Sequence, residues 1–267
     1  MLSTGVTLPC TVQGSSEGQS VVLLHAWGET RRSFDRVMPL LPRTVHAVVP
    51  DLRGHGDAPA PPDGYTLVEA AQDVVALLDA LGLPSAVLVG SSSGGYVAQQ
   101  VAVAYPERVD GLVLVGAPLS LHGRPAFADE VEALTDPVDR AWVEASLSWF
   151  PLHHDVPSWF VADRVDDGAR LPAHVWRAVL VGLTSATPPT DAGRLALPTL
   201  VLWGDRDEVI PRADAEALAA ASPTGRLQVY PDTGHLVLWE QPERVAADVI
   251  GLLRGLPTRP AQEATGR

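Results

Sequence analysis

The sequence contains neither lysine nor asparagine, so all 19 of its Lys and Arg positions are arginine. Without lysine, the chain cannot form a Schiff base, anchor pyridoxal phosphate or supply the lysine of a phosphate-binding loop. Without asparagine, it has no acceptor for N-glycosylation. These two absences exclude several enzyme classes before any motif is considered.

Cysteine and long apolar runs are also scarce. The single Cys10 cannot form an internal disulfide, and we interpret it as a small packed residue in a protein of a reducing compartment. The longest apolar runs, such as 21–24 and 112–115, are far shorter than the roughly 20 residues that span a bilayer. Because residues 1–11 lack a basic cluster followed by an apolar run, no secretory signal is predicted. We therefore expect a cytoplasmic protein without membrane contact.

Basic residues are also scarce. The chain has 19 basic and 32 acidic residues, which gives a formal net charge of -13. Such a chain repels polyanions unless a local basic patch attracts them, and the sequence contains no such patch. Nucleic acid is therefore not an expected partner. With 267 residues, 46% hydrophobic and 19% charged, the chain fits one globular domain with or without an insertion.

Short buried runs alternate with amphipathic stretches along most of the chain. Five apolar runs of strand length end in turn residues, and they lie at 21–24, 45–49, 86–89, 112–115 and 199–202. Between them are segments such as 66–81, whose apolar residues recur at helical spacing on one face. This alternation predicts an α/β fold with a mostly parallel, doubly wound sheet.

The alternation stops between Pro118 and about Pro198. This interval is rich in aromatic residues, which include Trp142, Trp149, Phe150, Trp159, Phe160 and Trp176. Since it has helical stretches but no buried strand run, we interpret it as a small helical cap over the carboxyl edge of the sheet, where open α/β sheets bind ligands. The predicted organisation is a first core part at 1–117, a helical cap at 118–197, a second core part at 198–256 and a flexible tail at 257–267.

The sequence GSSSGG at 90–95 directly follows a predicted buried strand and precedes a helix-forming segment. A Gly-x-Ser-x-Gly turn in this context places its serine at the tip of a sharp bend, where flanking side chains would collide. The tip also lies at a helix amino terminus, where backbone N–H groups favour developing negative charge. We therefore predict that Ser92 is a nucleophile.

Two other interpretations of this turn fit the pattern less well. A register with Ser93 at the tip would leave two of the three glycines away from the crowded positions. A phosphate-binding turn of a dinucleotide fold would follow the first strand, whereas this turn follows a middle one. The Ser92 register is favoured on both counts.

A serine hydroxyl becomes a good nucleophile only when a neighbouring base accepts its proton, and that base needs an orienting acid. Of the eight histidines, only His235 lies after the last buried strand, in a turn that can return to the carboxyl edge of the sheet. The sequence His153-His154-Asp155 indicates a metal site only weakly, because adjacent residues on a helix or strand do not face the same way. No metal or cofactor is predicted.

The acid is expected in the sequence GDRD at 204–207, which contains Asp205 and Asp207. We prefer Asp207, because it lies deeper in the loop and can reach over the sheet edge toward His235, whereas Asp205 is better placed to cap the turn. The tetrahedral intermediate also needs two backbone N–H donors. We assign one to Ser93, directly after the nucleophile, and the other to Trp27, in the loop after the first buried run.

Five motifs, taken in order, resemble those of the α/β-hydrolase family, and the resemblance extends over roughly residues 21–253. The motifs are HAWG at 25–28, DLRGHG at 51–56, GSSSGG at 90–95, GDRD at 204–207 and GH at 234–235. The chain is most similar to capped esterases, haloperoxidase-like enzymes and lactonases. The resemblance implies a cap inserted after the sixth strand, and it supports Ser92 as nucleophile, Asp207 as acid, His235 as base, and Trp27 with Ser93 as oxyanion donors.

The resemblance also implies the chemistry, which is hydrolysis of a small-molecule carboxylic ester or lactone through an acyl-enzyme, without a cofactor. The chain departs from the family pattern at Ala26 and Asp57, where glycine and serine are common, and neither departure removes a catalytic side chain. The substrate contacts expected from the cap and from the loops of the triad are Trp27, Trp149, Trp159 and Leu236.

Other activities remain open for the same pattern. A hydrolase-like receptor would hold a small ligand under the cap with little or no turnover, and a cofactor-free haloperoxidase would use the same residues with peroxide in place of water. A carbon–carbon bond hydrolase is a minor alternative, because that group commonly has asparagine before the elbow and tryptophan after the histidine, where this chain has Ser91 and Leu236. The sequence leaves open the oligomeric state and the effect on anionic substrates of the cap arginines Arg164, Arg170 and Arg177.

Overall fold

Residues 1–256 are described by a computed structural model, in which seven strands form one sheet. The strands are β1 (Cys10–Gln13), β2 (Gln19–Leu24), β3 (Val45–Pro50), β4 (Ala86–Ser91), β5 (Val109–Val115), β6 (Thr199–Gly204) and β7 (Arg226–Tyr230). Their order across the sheet is β1-β3-β2-β4-β5-β6-β7, and only β1 pairs antiparallel with its neighbour. The predicted mostly parallel sheet is confirmed.

The α-helices of residues 1–256 connect these strands and also form the interval between β5 and β6. They are α1 (Leu67–Ala80), α2 (Ser93–Ala104), α3 (Ala128–Glu132), α4 (Arg140–Ser146), α5 (Ser158–Arg170), α6 (Ala173–Thr184), α7 (Pro189–Ala192), α8 (Arg212–Ala220), α9 (Val237–Glu240) and α10 (Pro242–Gly255). Helix α1 begins at a capping box, in which the Thr66 hydroxyl accepts a hydrogen bond from the Glu69 N–H and the Glu69 carboxylate accepts one from the Thr66 N–H. The helix predicted for 66–81 is confirmed.

Apolar side chains are buried on both faces of the sheet, because residues along each strand point alternately to opposite sides. On one face, Leu88 and Leu112 belong to a core that also includes buried residues of α1, α2 and α8. On the other face, Val87 and Val113 belong to a core with buried residues of α10. Helices cover both faces, so the doubly wound arrangement is also confirmed.

The interval between β5 and β6 contains helices α3 to α7 and no strand within the described residues. Its own core includes Val143, Val165 and Trp176, with Trp27 from the loop after β2 packed against it. Among the described residues the interval follows the fifth strand, β5, whereas the sequence analysis expected it after a sixth. The predicted tail, 257–267, lies outside the described residues. Within residues 1–256, no helix is both long and apolar enough to cross a membrane.

Candidate active site

Ser92 lies at the junction of β4 and α2, in a backbone conformation that non-glycine residues rarely adopt, with φ 47° and ψ -119°. The surrounding backbone leaves no space for larger neighbours. A Cβ atom on Gly90 would overlap the backbone of Gly95, and a Cβ atom on Gly94 would overlap the carbonyl of Leu24. The glycines on either side of Ser92 are therefore needed for this sharp turn from strand to helix.

The structure brings Ser92, His235 and Asp207 together in one hydrogen-bonded chain. Ser92 Oγ lies 3.0 Å from His235 Nε2, and His235 Nδ1 lies 3.0 Å from Asp207 Oδ2. Because a carboxylate only accepts hydrogen bonds, Nδ1 carries the proton, and Nε2 is left as the acceptor that faces the serine hydroxyl. The three residues come from positions that are far apart in the chain and meet at the carboxyl edge of the sheet.

Asp207 is held in place by its own loop. Its Oδ1 atom accepts hydrogen bonds from the N–H groups of Val209 and Ile210, at 2.8 Å and 2.9 Å. Its side chain is fully buried, whereas that of the neighbouring Asp205 is 38% exposed and faces Arg206. The structure therefore places Asp207, and not Asp205, against the histidine.

A buried glutamate that the sequence analysis did not single out orders the loop of His235. Glu240 Oε1 accepts a hydrogen bond from the N–H of Gly234 at 2.9 Å. Its Oε2 accepts from the N–H groups of His153 and His154, at 2.8 Å and 2.9 Å. One carboxylate thus connects the histidine loop to a cap segment. These two histidines contribute backbone N–H groups here, and no cluster suited to a metal ion occurs within residues 1–256.

The loop after β2 has a different hydrogen-bond pattern from the one expected. The N–H of Trp27 donates to Ser93 Oγ at 2.7 Å, so it is already engaged by a side chain. The N–H of Ser93 lies at the first position of α2, where helices leave their N–H groups without intrahelical partners. Sequence reasoning assigned the Trp27 N–H as a free donor, and it missed the hydroxyl of Ser93.

Two buried histidines hold the same loop on either side of Trp27. His25 Nδ1 donates to the Ala26 carbonyl at 2.8 Å and its Nε2 accepts from the Leu52 N–H at 2.9 Å. His55 Nε2 accepts from the Gly28 N–H at 3.4 Å. Both rings are neutral, because burial lowers the pKa of His25 to about 4 and that of His55 to about 3.

A cavity of about 390 Å³ opens onto Ser92 and His235. Of the four expected substrate contacts, Trp27, Trp149 and Leu236 line it, whereas Trp159 does not. Trp159 is 56% exposed, because adjacent residues on a helix face different ways and Phe160 occupies the buried side of α5. The structure therefore places Trp159 outside this cavity. Aromatic residues that sequence reasoning did not assign to the cavity also line it, namely Phe127, Phe150, Trp176 and Trp239.

Three charged residues, Glu29, Arg124 and Arg164, line this mainly apolar cavity. Arg164 is 3% exposed, its Nη2 lies 2.8 Å from Asp167 Oδ2, and burial lowers its pKa. Burial likewise raises the pKa of Glu29. Of the three cap arginines considered, Arg164 alone lines the cavity, since Arg170 pairs with Asp167 and Arg177 donates to a backbone carbonyl. Glu29 was not expected from the sequence.

Comparison with known proteins identifies the family of the chain. The sequence model of the alpha/beta hydrolase fold family matches residues 19–242, which is most of the chain. This chain belongs to the α/β-hydrolase fold family. The seven-stranded sheet is thus that of a family member, and the predicted resemblance to this family is confirmed.

Several individual proteins are similar to the chain over nearly its full length. A pimeloyl-[acyl-carrier protein] methyl ester esterase from Aromatoleum aromaticum is 31% identical over 88% of this chain and 98% of its own length. A non-heme chloroperoxidase from Streptomyces lividans is 31% identical over 90% of this chain and 94% of its own. A hydrolase structure from Pseudomonas aeruginosa matches with a TM-score of 0.83 and 29% identity, over 94% of this chain and 96% of that one.

Proposed function

We propose that this α/β hydrolase is a serine hydrolase that cleaves a carboxylic ester or lactone. The observation that carries the proposal is the continuous chain of two 3.0 Å contacts from Ser92 through His235 to Asp207. In this arrangement a neutral imidazole accepts the serine proton while a buried carboxylate orients the ring. The similar methyl ester esterase supports the same class of reaction.

In the first half-reaction, Ser92 Oγ attacks the substrate carbonyl carbon, and the π electrons of the carbonyl move to its oxygen. His235 Nε2 accepts the serine proton, and Asp207 stabilises the resulting imidazolium. The tetrahedral intermediate collapses, the bond to the alcohol oxygen breaks, and His235 returns the proton to that oxygen. The product of this half-reaction is an acyl-enzyme on Ser92.

In the second half-reaction, water takes the place of the alcohol. The water oxygen attacks the acyl carbon while His235 accepts a proton from the water. His235 then returns this proton to Ser92 Oγ as the carboxylic acid leaves. The negative charge on the carbonyl oxygen in both halves would be met by the Ser93 N–H and by a donor on the side of Trp27. No step requires a cofactor or a metal.

The substrate is proposed to have a largely apolar acyl or alcohol group. Trp27, Trp149 and Leu236 line the cavity. Three further aromatic residues of its wall, Phe127, Phe150 and Trp176, come from the interval that we place at 118–197 as the cap, and Trp239 comes from α9. Apolar walls bind apolar groups by removing their surface from water. The net charge of -13 would repel a substrate with a free carboxylate or phosphate at long range.

Peracid formation is a second candidate, and the similar chloroperoxidase from Streptomyces lividans favours it. Hydrogen peroxide would replace water in the second half-reaction, so that the acyl group leaves Ser92 as a peracid and His235 returns the proton to the serine. The peracid would then oxidise a halide and be reduced to the carboxylic acid. This activity would depend on both peroxide and a carboxylic acid or ester, and it would be lost in Ser92→Ala.

The proposed function is tested by proton release at constant pH from a graded panel of esters and lactones, with wild type and Ser92→Ala measured side by side. We expect turnover that rises with one acyl length or ring size and vanishes in the variant. Ser91→Ala, which removes the hydroxyl on the other side of the elbow, serves as the matched variant. Folded wild-type protein that turns over no member of the panel would contradict the proposal and favour a ligand-binding receptor.

A further inference from the structure

The hydroxyl of Ser93 has a hydrogen to donate and no acceptor for it. The Trp27 N–H can only donate, so in the 2.7 Å contact between them Ser93 Oγ is the acceptor. The hydroxyl's own hydrogen therefore remains available. Within residues 1–256 it meets no acceptor, and Ser93 lines the cavity that also contains Ser92 and His235.

This contact affects which group can bind the developing oxyanion. A donor of an oxyanion hole must lie about 2.7 to 3.1 Å from the position of the oxyanion, with its N–H aimed at that position. In front of the Trp27 N–H, that position is occupied by Ser93 Oγ at 2.7 Å. The Trp27 N–H can therefore bind the oxyanion directly only if the Ser93 hydroxyl first rotates away.

The loop itself is held so that the Trp27 N–H continues to face Ser93. His25 binds the Ala26 carbonyl on one side of Trp27, and His55 accepts from the Gly28 N–H on the other. Glu29 closes the same turn, since its N–H donates to the Ala26 carbonyl at 3.1 Å. A turn fixed at both ends favours the observed contact over an alternative in which the loop moves.

We propose that Ser93 is a further catalytic residue, whose side-chain hydroxyl donates a hydrogen bond to the oxyanion alongside its own backbone N–H. The inference rests on the proposed function, because the oxyanion forms only when Ser92 attacks a carbonyl. The Trp27 N–H acts on the oxyanion through the Ser93 hydroxyl, because a hydroxyl that accepts a hydrogen bond becomes a stronger donor. The Ser93 proton stays on Ser93 Oγ throughout, and the only proton that changes place is the one exchanged between Ser92 and His235.

The test compares Ser93→Ala, Ser93→Thr and the matched variant Ser91→Ala by steady-state hydrolysis of p-nitrophenyl butyrate. Loss of one oxyanion donor lowers kcat by about 100- to 1,000-fold in characterised hydrolases, with little change in KM, and we expect a loss of this size in Ser93→Ala. Ser93→Thr keeps the hydroxyl and should recover kcat to within about tenfold of wild type. Ser91→Ala should lose much less than Ser93→Ala.

The opposite result has an equally clear meaning. If Ser93→Ala retains kcat within about tenfold of wild type, or exceeds it, the hydroxyl merely fills the oxyanion position and the Trp27 N–H is the direct donor. The proposal is then overturned. If Ser93→Ala proves less stable in thermal unfolding, Ser93→Cys provides the second variant, and its weaker S–H donor should give a kcat between those of alanine and threonine.

An inhibitor distinguishes failure of this inference from failure of the proposed function. An aryl trifluoromethyl ketone forms a hemiketal oxyanion on a nucleophilic serine without turnover, and fluorine NMR detects the adduct. We expect the adduct in wild type, none in Ser92→Ala, and at least about 100-fold weaker inhibition in Ser93→Ala. Adduct formation that is equally strong in wild type and Ser93→Ala would reject the role of the hydroxyl while leaving the serine mechanism intact. A lack of adduct in wild type would reject both.

Discussion

Phe150 lies stacked against the imidazole of His235, with ring centroids 5.2 Å apart and an angle of 27° between the planes. Phe150 belongs to the interval between β5 and β6, and His235 follows β7. The contact therefore joins the cap to the proposed base and keeps one face of the ring away from water. The cap contributes to the site not only as a wall of the cavity but also as a support for the histidine.

Phe150→Ala should reduce kcat/KM by about 2- to 10-fold, since an aromatic pair contributes about 0.5–1.5 kcal/mol beyond its area of burial. Ester hydrolysis at saturating and limiting substrate measures the effect. Trp159→Ala is the matched control, because it removes another cap aromatic that is exposed and outside the cavity. An equal loss in both variants would show that the effect comes from the stability of the cap rather than from the ring contact.

Asp207→Asn should lower kcat by about 10,000-fold without unfolding the protein. An amide that turns its NH₂ group toward His235 Nδ1 favours the wrong tautomer, which presents a proton rather than a lone pair to Ser92. Asp205→Asn makes the same chemical change two residues earlier, where the side chain does not contact the histidine. Comparable losses in the two variants would mean that the acid has been assigned incorrectly.

Glu240→Ala should destabilise the fold by about 2 kcal/mol, since it removes the acceptor of the buried Gly234 N–H and of the N–H groups of the more exposed His153 and His154. It should also lower kcat, because Gly234 immediately precedes the proposed base. Urea unfolding and ester hydrolysis measure the two effects. Glu243→Ala removes an exposed carboxylate from the start of α10 and should change stability by no more than about 1 kcal/mol. A small stability change in Glu240→Ala would contradict this account of the loop.

Stability should fall as the pH decreases from about 6.5 toward 4, because the fold keeps His25 and His55 neutral. Their pKa values are lowered from 6.5 to about 4 and about 3, so in this range the unfolded chain binds protons that the folded chain does not. Each histidine then costs about 1.4 kcal/mol of stability per pH unit. The raised pKa of Glu29 acts in the opposite sense, since its contribution is greatest at low pH and is lost as the pH rises through its folded pKa.

Urea unfolding at a series of pH values tests this dependence. The measurement is best made in Glu29→Gln, which removes the opposing titration, and repeated after adding His25→Gln. The second substitution should reduce the slope of the unfolding free energy against pH by the contribution of one histidine, about 1.4 kcal/mol per pH unit. A stability that is flat between pH 6.5 and pH 5 would show that the two rings are not held neutral.

Local chemistry in the sequence determined the strands and the elbow. The buried runs that predicted β2 to β6 are short-range patterns, because burial on both faces requires apolar residues throughout a strand. The turn at 90–95 needs glycine wherever a Cβ atom would overlap nearby backbone, so its sequence alone indicates the sharp bend. The order of Ser92, Asp207 and His235 along the chain likewise needed no coordinates.

Only the tertiary structure decided which backbone N–H groups and side chains form hydrogen bonds with distant residues. The bond from Trp27 to Ser93 joins residues 66 positions apart, and those from His153 and His154 to Glu240 join residues 87 and 86 positions apart. The sequence did not indicate that Trp159 is exposed either, because its exposure depends on which side of α5 packs inward. Sequence patterns report what neighbouring residues require of the backbone, whereas contacts between distant segments depend on how the sheet and the cap bring them together.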